Sequence, residues 1–170
     1  YSYGVPRSKS IQTTPAHQLA LAAVYYSPLQ YMYWYDKPSD SQDEPELKFF
    51  DDVYTTWDDT KVLQGEVGEF ITIARRKGEE WFIGSITNNE KRVLSVSLDF
   101  LPEGKNYIAE IYTDGDKSVK TRTKFRVATY RVSNKTKLNF CLKASGGAAV
   151  RLVPDDGNIK SVKNYKQQRL

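Results

Sequence analysis

The stretch TTWDDTKVLQGEVGE, residues 55–69, sets Asp58, Asp59, Glu66 and Glu69 beside Trp57 and is the sequence's nearest approach to an acid–base site. Cleaving a glycosidic bond takes two carboxyl groups facing one bond, about 5–9.5 Å apart. One of them must be perturbed by burial or by a neighbour. Consecutive acids such as Asp58-Asp59 point in different directions, so adjacency in the chain does not supply such a pair. The same objection meets Asp51-Asp52 and Glu79-Glu80. These acids read as a solvated joint between two structures.

Other reactive side chains are scarce. The single histidine, His17, and the single cysteine, Cys141, exclude a histidine-built metal centre, an internal disulfide and a multi-cysteine site. His17 falls in the first turns of a helix pattern, where a side chain satisfied by a hydrogen bond is the expected role. Cys141 sits between Phe140 and Leu142 and should face away from the core that those two enter. Lys120, Arg122, Lys124 and Arg126 alternate with Thr121, Thr123, Phe125 and Val127. That stripe would suit nucleic acid, but it fits an edge strand guarded by charge better.

The remaining candidate for ligand contact is YWYDK, residues 33–37. If LQYMYWY (29–35) is a strand of an α/β barrel, then Trp34, Tyr35, Asp36 and Lys37 emerge at its C-terminal rim, where active-site groups gather. A ring of Trp34 or Tyr35 could stack on a sugar, and Asp36 or Lys37 could bind hydroxyls. Ordinary rim residues would look the same.

These side chains depend on elements of two different periods. TTPAHQLALAAVYY (13–26) begins with a capping Thr and a first-turn proline, then repeats apolar residues at helical spacing. An almost wholly apolar strand (29–35), a polar loop (36–44) and a short helix in PELKFFDDVY (45–54) follow. After Trp57 the period falls to two. Strands are expected at 69–76, 80–87, 92–100, 106–113, 119–127, 137–143 and 148–153, separated by turn chemistry such as LPEGK and SGG. The fold class expected is therefore mostly β, an antiparallel β-sandwich over 58–153. Residues 1–57 would be the last helix–strand–helix segment of a barrel, and 154–170 a tail, frayed in preference to a short amphipathic helix.

The 170 residues carry a net charge of +4, 27% charged residues and 13% aromatics. This is an ordinary globular mixture, too mildly basic to argue for nucleic acid. No apolar run is long enough to span a membrane. The opening YSYGVPRSKS lacks an initiator Met, which reads as a piece of a longer protein.

Four blocks in register, TTPAHQLALAAVYYSPLQ, TTWDDTKVLQGEVGEFITIARRKGEEWFIGSITNN, LDFLPEGKNYIAEIYTDG and SGGAAVRL, together resemble the C-terminal part of glycoside hydrolase family 97. Members combine an N-terminal β-sandwich, a (β/α)8 catalytic barrel and a C-terminal β-sandwich. The resemblance implies a parent that is a calcium-dependent inverting α-glucosidase or a retaining α-galactosidase, exported to the periplasm of Bacteroidota-type bacteria. It also implies that the catalytic carboxylates and calcium ligands precede residue 1. No catalytic residue, metal ligand or cofactor is thus assigned to this chain. Its partners would be the rest of the parent, an oligosaccharide substrate through that parent, and a second copy, with no nucleic acid or membrane. Residues 55–69 resemble the crossing from barrel to sandwich. The competing reading is a stand-alone carbohydrate-binding sandwich using exposed aromatics such as Trp81, Tyr107 or Tyr112.

Overall fold

The structure is a computed structural model that describes residues 12–30, 39, 44–120, 123–159 and 161–166. Helix α1 spans Pro15–Val24, a 3-10 turn at Pro45–Leu47 leads into the short helix α2, Lys48–Asp52, and eight strands follow. These are β1 Asp59–Glu66, β2 Phe70–Lys77, β3 Glu80–Thr87, β4 Arg92–Ser97, β5 Asn106–Asp114, β6 Phe125–Ser133, β7 Lys137–Leu142 and β8 Gly147–Pro154. Six of them form one sheet in the order β1-β2-β3-β8-β5-β6, while β4 and β7 pair separately. Every ladder between named strands is antiparallel.

The large sheet is buried on both faces, and period two decides which residue goes where. One face carries Ala74, Trp81, Ile83, Tyr107, Ala109, Ile111, Ala148, Val150 and Leu152 toward the β4–β7 pair, which contributes Leu94, Val96, Leu138, Phe140 and Leu142. The opposite face presents Phe82, Tyr112, Phe125 and Ala149 to α1 and α2, whose Leu19, Ala20, Ala23 and Phe49 close a second core. A sandwich is therefore present, with a helical layer on its outer side.

Several elements match the alternation read from the sequence. Thr14 caps α1, accepting from the His17 backbone N–H at 3.2 Å, and Pro15 opens the first turn. The β2–β3 hairpin and β8 lie within a residue or two of expectation. Cys141 is exposed while Phe140 and Leu142 are buried, as the alternation requires.

Other elements depart from it. Residues 55–58 do connect, but from Asp59 the chain is already an edge strand, so only the first part of the acidic stretch is a joint. The strand expected at 119–127 instead runs from 125 to 133. Lys124 takes a left-handed backbone, φ +52°, and its carbonyl accepts from Gly115 N–H at 2.7 Å, so the chain turns there before strand geometry begins. The basic stripe consequently dissolves: Lys120 and Lys124 precede β6, Arg126 lies on it, and Arg122 is outside the described residues. β6 is nonetheless an edge of the large sheet. The strand expected at 92–100 ends at Ser97, and Leu98 reaches the core from a turn.

The tail departs most. Residues 161–166 form neither an amphipathic helix nor a loose end, because they run along β6. A parallel bridge joins Arg131 to Asn164, with Arg131 N–H to Lys163 O and Tyr165 N–H to Arg131 O both at 2.9 Å. No helix among the described residues is long and apolar enough to cross a membrane.

Candidate functional site: the seat of helix α1

A network of buried and half-buried polar groups lies where the helical layer meets the large sheet. Along β2, Ile71, Ile73 and Arg75 share the face turned toward α1. Arg75 is 2% exposed and has no carboxylate partner among its hydrogen bonds. Its Nε donates to Ala23 O at 2.5 Å, one terminal nitrogen to Val24 O at 2.9 Å, and the other to Thr60 Oγ1 at 2.9 Å. Those carbonyls belong to the last turn of α1, which has no intrahelical donors left for them. The helix dipole favours a cation at that end. Burial pushes the guanidinium pKa down, and the planar fork nevertheless fits two adjacent carbonyls.

The start of α1 is held as firmly. Thr14 N–H donates to Ser145 O at 3.0 Å, and Ala16 N–H donates to Asp114 Oδ1 at 3.2 Å. His17 Nδ1–H donates to Gly146 O at 3.2 Å. The histidine is thus the satisfied helix residue that the sequence suggested. Between the two ends the helix touches backbone. A Cβ added to Gly84 would lie 2.5 Å from Ala20 O, and one added to Gly147 would lie 2.6 Å from His17 Cα. Glycines inside strands β3 and β8 are what let a helix approach this closely.

Helix α2 is tied through Arg151 of β8. Its guanidinium bonds Glu80 through Nε, 2.9 Å, and through a terminal nitrogen, 3.2 Å, while the other terminal nitrogen reaches Asp52 at 2.7 Å. Lys48 adds Asp52 at 2.5 Å and Glu110 at 3.3 Å. Burial lowers the Lys48 pKa, but hydrogen bonds and charge from Asp52 and Glu110 outweigh it, for a net rise. Burial, then the charges of Glu110 and Asp52, hold the Tyr112 phenol well above its ordinary pKa. Beneath them Phe49 meets Phe82 and Tyr112 edge to face, at 5.8 and 5.2 Å between centroids.

Most of the acids considered for chemistry are spent on such pairing, while Asp51 and Glu66 lie exposed. Asp58 accepts from Gly78 N–H at 2.8 Å and from Lys77 at 3.0 Å, and these bonds lower its pKa. Asp59 pairs with Lys61, Glu69 with Arg92, Glu79 with Lys105, and Asp52 and Glu80 with Arg151. A general acid needs the opposite environment, one that keeps a carboxyl protonated. Among the described residues no group of three or more His, Cys, Asp or Glu side chains is arranged to hold a metal ion.

Trp34, Tyr35, Asp36 and Lys37 lie outside the described residues. The aromatics offered for a free-standing sugar site are placed, and they are buried: Trp81 4%, Tyr107 2% and Tyr112 1% exposed. Period two turns each into a core, so they cannot stack on a ligand.

Arg75 and Arg151 escaped the sequence reading. One signal existed: Arg75 falls in line with Ile71 and Ile73, and Gly84 interrupts an otherwise bulky strand.

A family model described as "Glycosyl-hydrolase 97 C-terminal, oligomerisation" matches residues 56–153. Over 151 residues the chain is 34% identical to a retaining alpha-galactosidase of Bacteroides thetaiotaomicron, covering 88% of this chain and 22% of that one. A Glycoside Hydrolase Family 97 enzyme from Pseudoalteromonas sp. strain K8, solved with acarbose, superposes with a TM-score of 0.76 and 37% identity, over 85% of this chain and 23% of that one. A beta-arabinopyranosidase crystal structure follows at TM-score 0.65 and 25% identity, over 82% of this chain and 21% of that one. The chain spans about a fifth of the length of each. It belongs to glycoside hydrolase family 97 and carries that family's C-terminal, oligomerisation-associated β-sandwich domain.

Proposed function

We propose that this chain is the non-catalytic C-terminal part of a family 97 glycosidase that hydrolyses α-glucosides or α-galactosides. In this reading α1 and α2 end the catalytic barrel, and the sandwich braces it. The observation that carries the proposal is the seat of α1, capped at both ends by sheet residues and pressed onto Gly84 and Gly147. A hinge between independent domains would not need a buried arginine without a carboxylate. Trp34 to Lys37 would then stand at the barrel rim near the substrate. The catalytic carboxylates, and calcium where the parent uses it, would be held by residues outside this chain, in a periplasmic or secreted enzyme. Self-association through the sandwich accords with the description of the matched family.

The purified 170-residue chain should show no turnover of aryl α-glucosides or aryl α-galactosides, with or without calcium. Sedimentation should show more than a monomer. Clear turnover that co-purifies with the chain would overturn the non-catalytic reading, and a strict monomer at high micromolar concentration would remove the self-association.

A further inference from the structure

The two sheets differ in width, six strands against two. The narrow pair cannot cover the whole inner face of the wide sheet, and the shortfall opens a cleft of about 920 Å³ beside β6. Ile111, Ala128 and Phe140 line it with apolar surface, and Tyr130 of β6 and Tyr165 of the tail stand in it. The rings meet edge to face, centroids 5.4 Å apart at 87°, so they do not stack on each other. Tyr165 Oη accepts the Asn139 backbone N–H at 3.0 Å, which spans the gap to β7 and leaves its own proton to donate.

The charged lining is all of one sign: Arg126, Arg131, Lys163 and Lys166. Two of these are answered close by, Arg126 by Asp116 at 2.9 Å and Arg131 by Asp155. Lys163 and Lys166 have no acidic partner among the described residues. Positive charge and aromatic rings thus converge on one open concavity. A small inorganic anion would use neither the rings nor most of the volume. A run of unstacked bases would need successive free ring faces, which two tyrosines in mutual edge contact do not offer. A pyranose ring needs one such face, hydroxyl partners and, if it carries an acid group, a cation.

We propose that this cleft binds an acidic oligosaccharide, one whose sugars bear carboxylate or sulfate groups, with Lys163 and Lys166 on the acid groups and Tyr130 or Tyr165 against a ring. Lys163, Tyr165 and Lys166 lie beyond 153, where the family match ends, so the tail supplies both unpaired cations while β5, β6 and β7 supply the rest of the lining. The inference does not depend on the parent's catalytic activity.

Titration calorimetry on the full chain tests it with tetragalacturonate, maltotetraose, sodium sulfate and a short oligothymidylate. Saturable binding of tetragalacturonate alone is expected, weakening severalfold when NaCl rises from about 50 to about 300 mM. The double substitution Lys163→Ala/Lys166→Ala should lower that affinity at least about tenfold, one decade in the binding constant, with an unchanged Tm. Tyr165→Phe should retain more affinity than Tyr165→Ala. No binding of tetragalacturonate overturns the proposal, as does equal binding of maltotetraose. Equal binding of sulfate would show a bare anion patch, and tighter binding of the oligothymidylate would show a nucleic-acid surface. Either result refutes the saccharide assignment, as would wild-type affinity in the lysine variant.

Discussion

Arg75 on β2 donates its Nε proton to the carbonyl of Ala23, fifty-two residues earlier in the chain, over 2.5 Å. A buried guanidinium held by carbonyls and a hydroxyl has no charge neutralisation, so its bonds are what keep it inside. Arg75→Met keeps much of the volume and strands Ala23 O, Val24 O and Thr60 Oγ1. Each stranded carbonyl costs about 1–3 kcal/mol, whereas Thr60 is exposed and its hydroxyl can bond water instead. A Tm loss of roughly 8 °C or more is expected by calorimetry, with reduced helical signal in circular dichroism. A Tm within a degree of wild type would show that α1 is not held from its C-terminal end.

Gly84 and Gly147 set how near α1 can come. In Gly84→Ala the new methyl meets Ala20 O, which is helix backbone and cannot swing aside. Overpacking of this kind costs about 1–3 kcal/mol. The helix should lift as a unit, seen as faster amide hydrogen exchange over residues 15–24 with β5 and β8 still protected. Unchanged exchange in α1 would place the helix elsewhere than on this face.

Two half-buried groups, His17 at the start of α1 and Asp114 of β5 beside it, make stability pH-dependent with opposite signs. Burial raises the Asp114 carboxyl pKa above its ordinary 3.8, outweighing the hydrogen bonds from Thr14, Ala16 and Gly147 and the charge of Lys143. Its ionised form therefore opposes folding, and that penalty grows as pH climbs from 3.8 to the raised value. Burial lowers the His17 pKa below 6.5 against the pull of the Gly146 carbonyl and the Asp114 charge. Above 6.5 the imidazole is neutral in both states; below it the unfolded chain takes the proton first, so stability falls until the folded value is passed. Urea unfolding across pH 4 to 8 should show His17→Gln flattening the drop below pH 6.5, and Asp114→Asn removing the loss of stability that sets in as pH rises above 3.8, with the gain retained at neutral pH. A His17→Gln profile parallel to wild type would exclude the imidazole as the source.

Tyr165 ties the tail across the open end of the sandwich through its hydroxyl and its ring. Tyr165→Phe leaves the Asn139 N–H without its acceptor, at about 1 kcal/mol. Tyr165→Ala also forfeits the contact with Tyr130 and should cost more. Removal of residues 155–170 should lower Tm and expose the β6 edge, with aggregation followed by light scattering. Equal stability of the full and shortened chains would make the strap incidental.

The residue types alone carried the local structure a long way. Thr14-Pro15 at the head of α1, the alternation through β2, β3, β5 and β8, and the exposed side of Cys141 all follow from rules that act within a few residues, namely capping, turn chemistry and period two. Four blocks in register also carried the family. Where the chain's partners are remote, the same rules fall short. Nothing local marks Asp59–Glu66 as a strand, because an edge strand takes its hydrogen bonds from a neighbour on one side only and its pattern is half exposed. The start of β6 was displaced by six residues because the left-handed turn at Lys124 is closed by Gly115, across a loop whose sequence alternates as a strand would.

Burial of Arg75, the close approach permitted by Gly84, and the cleft left by two sheets of unequal width are decided only by the tertiary structure. Each depends on which faces meet, and that is settled by packing between segments far apart in the chain. A side chain's chemistry is written in its own residue, but its environment belongs to its neighbours in space. Asp58 and Asp59 show this most plainly: as letters they suggest acid–base work, and as neighbours of Lys77 and Lys61 they are the partners of cations.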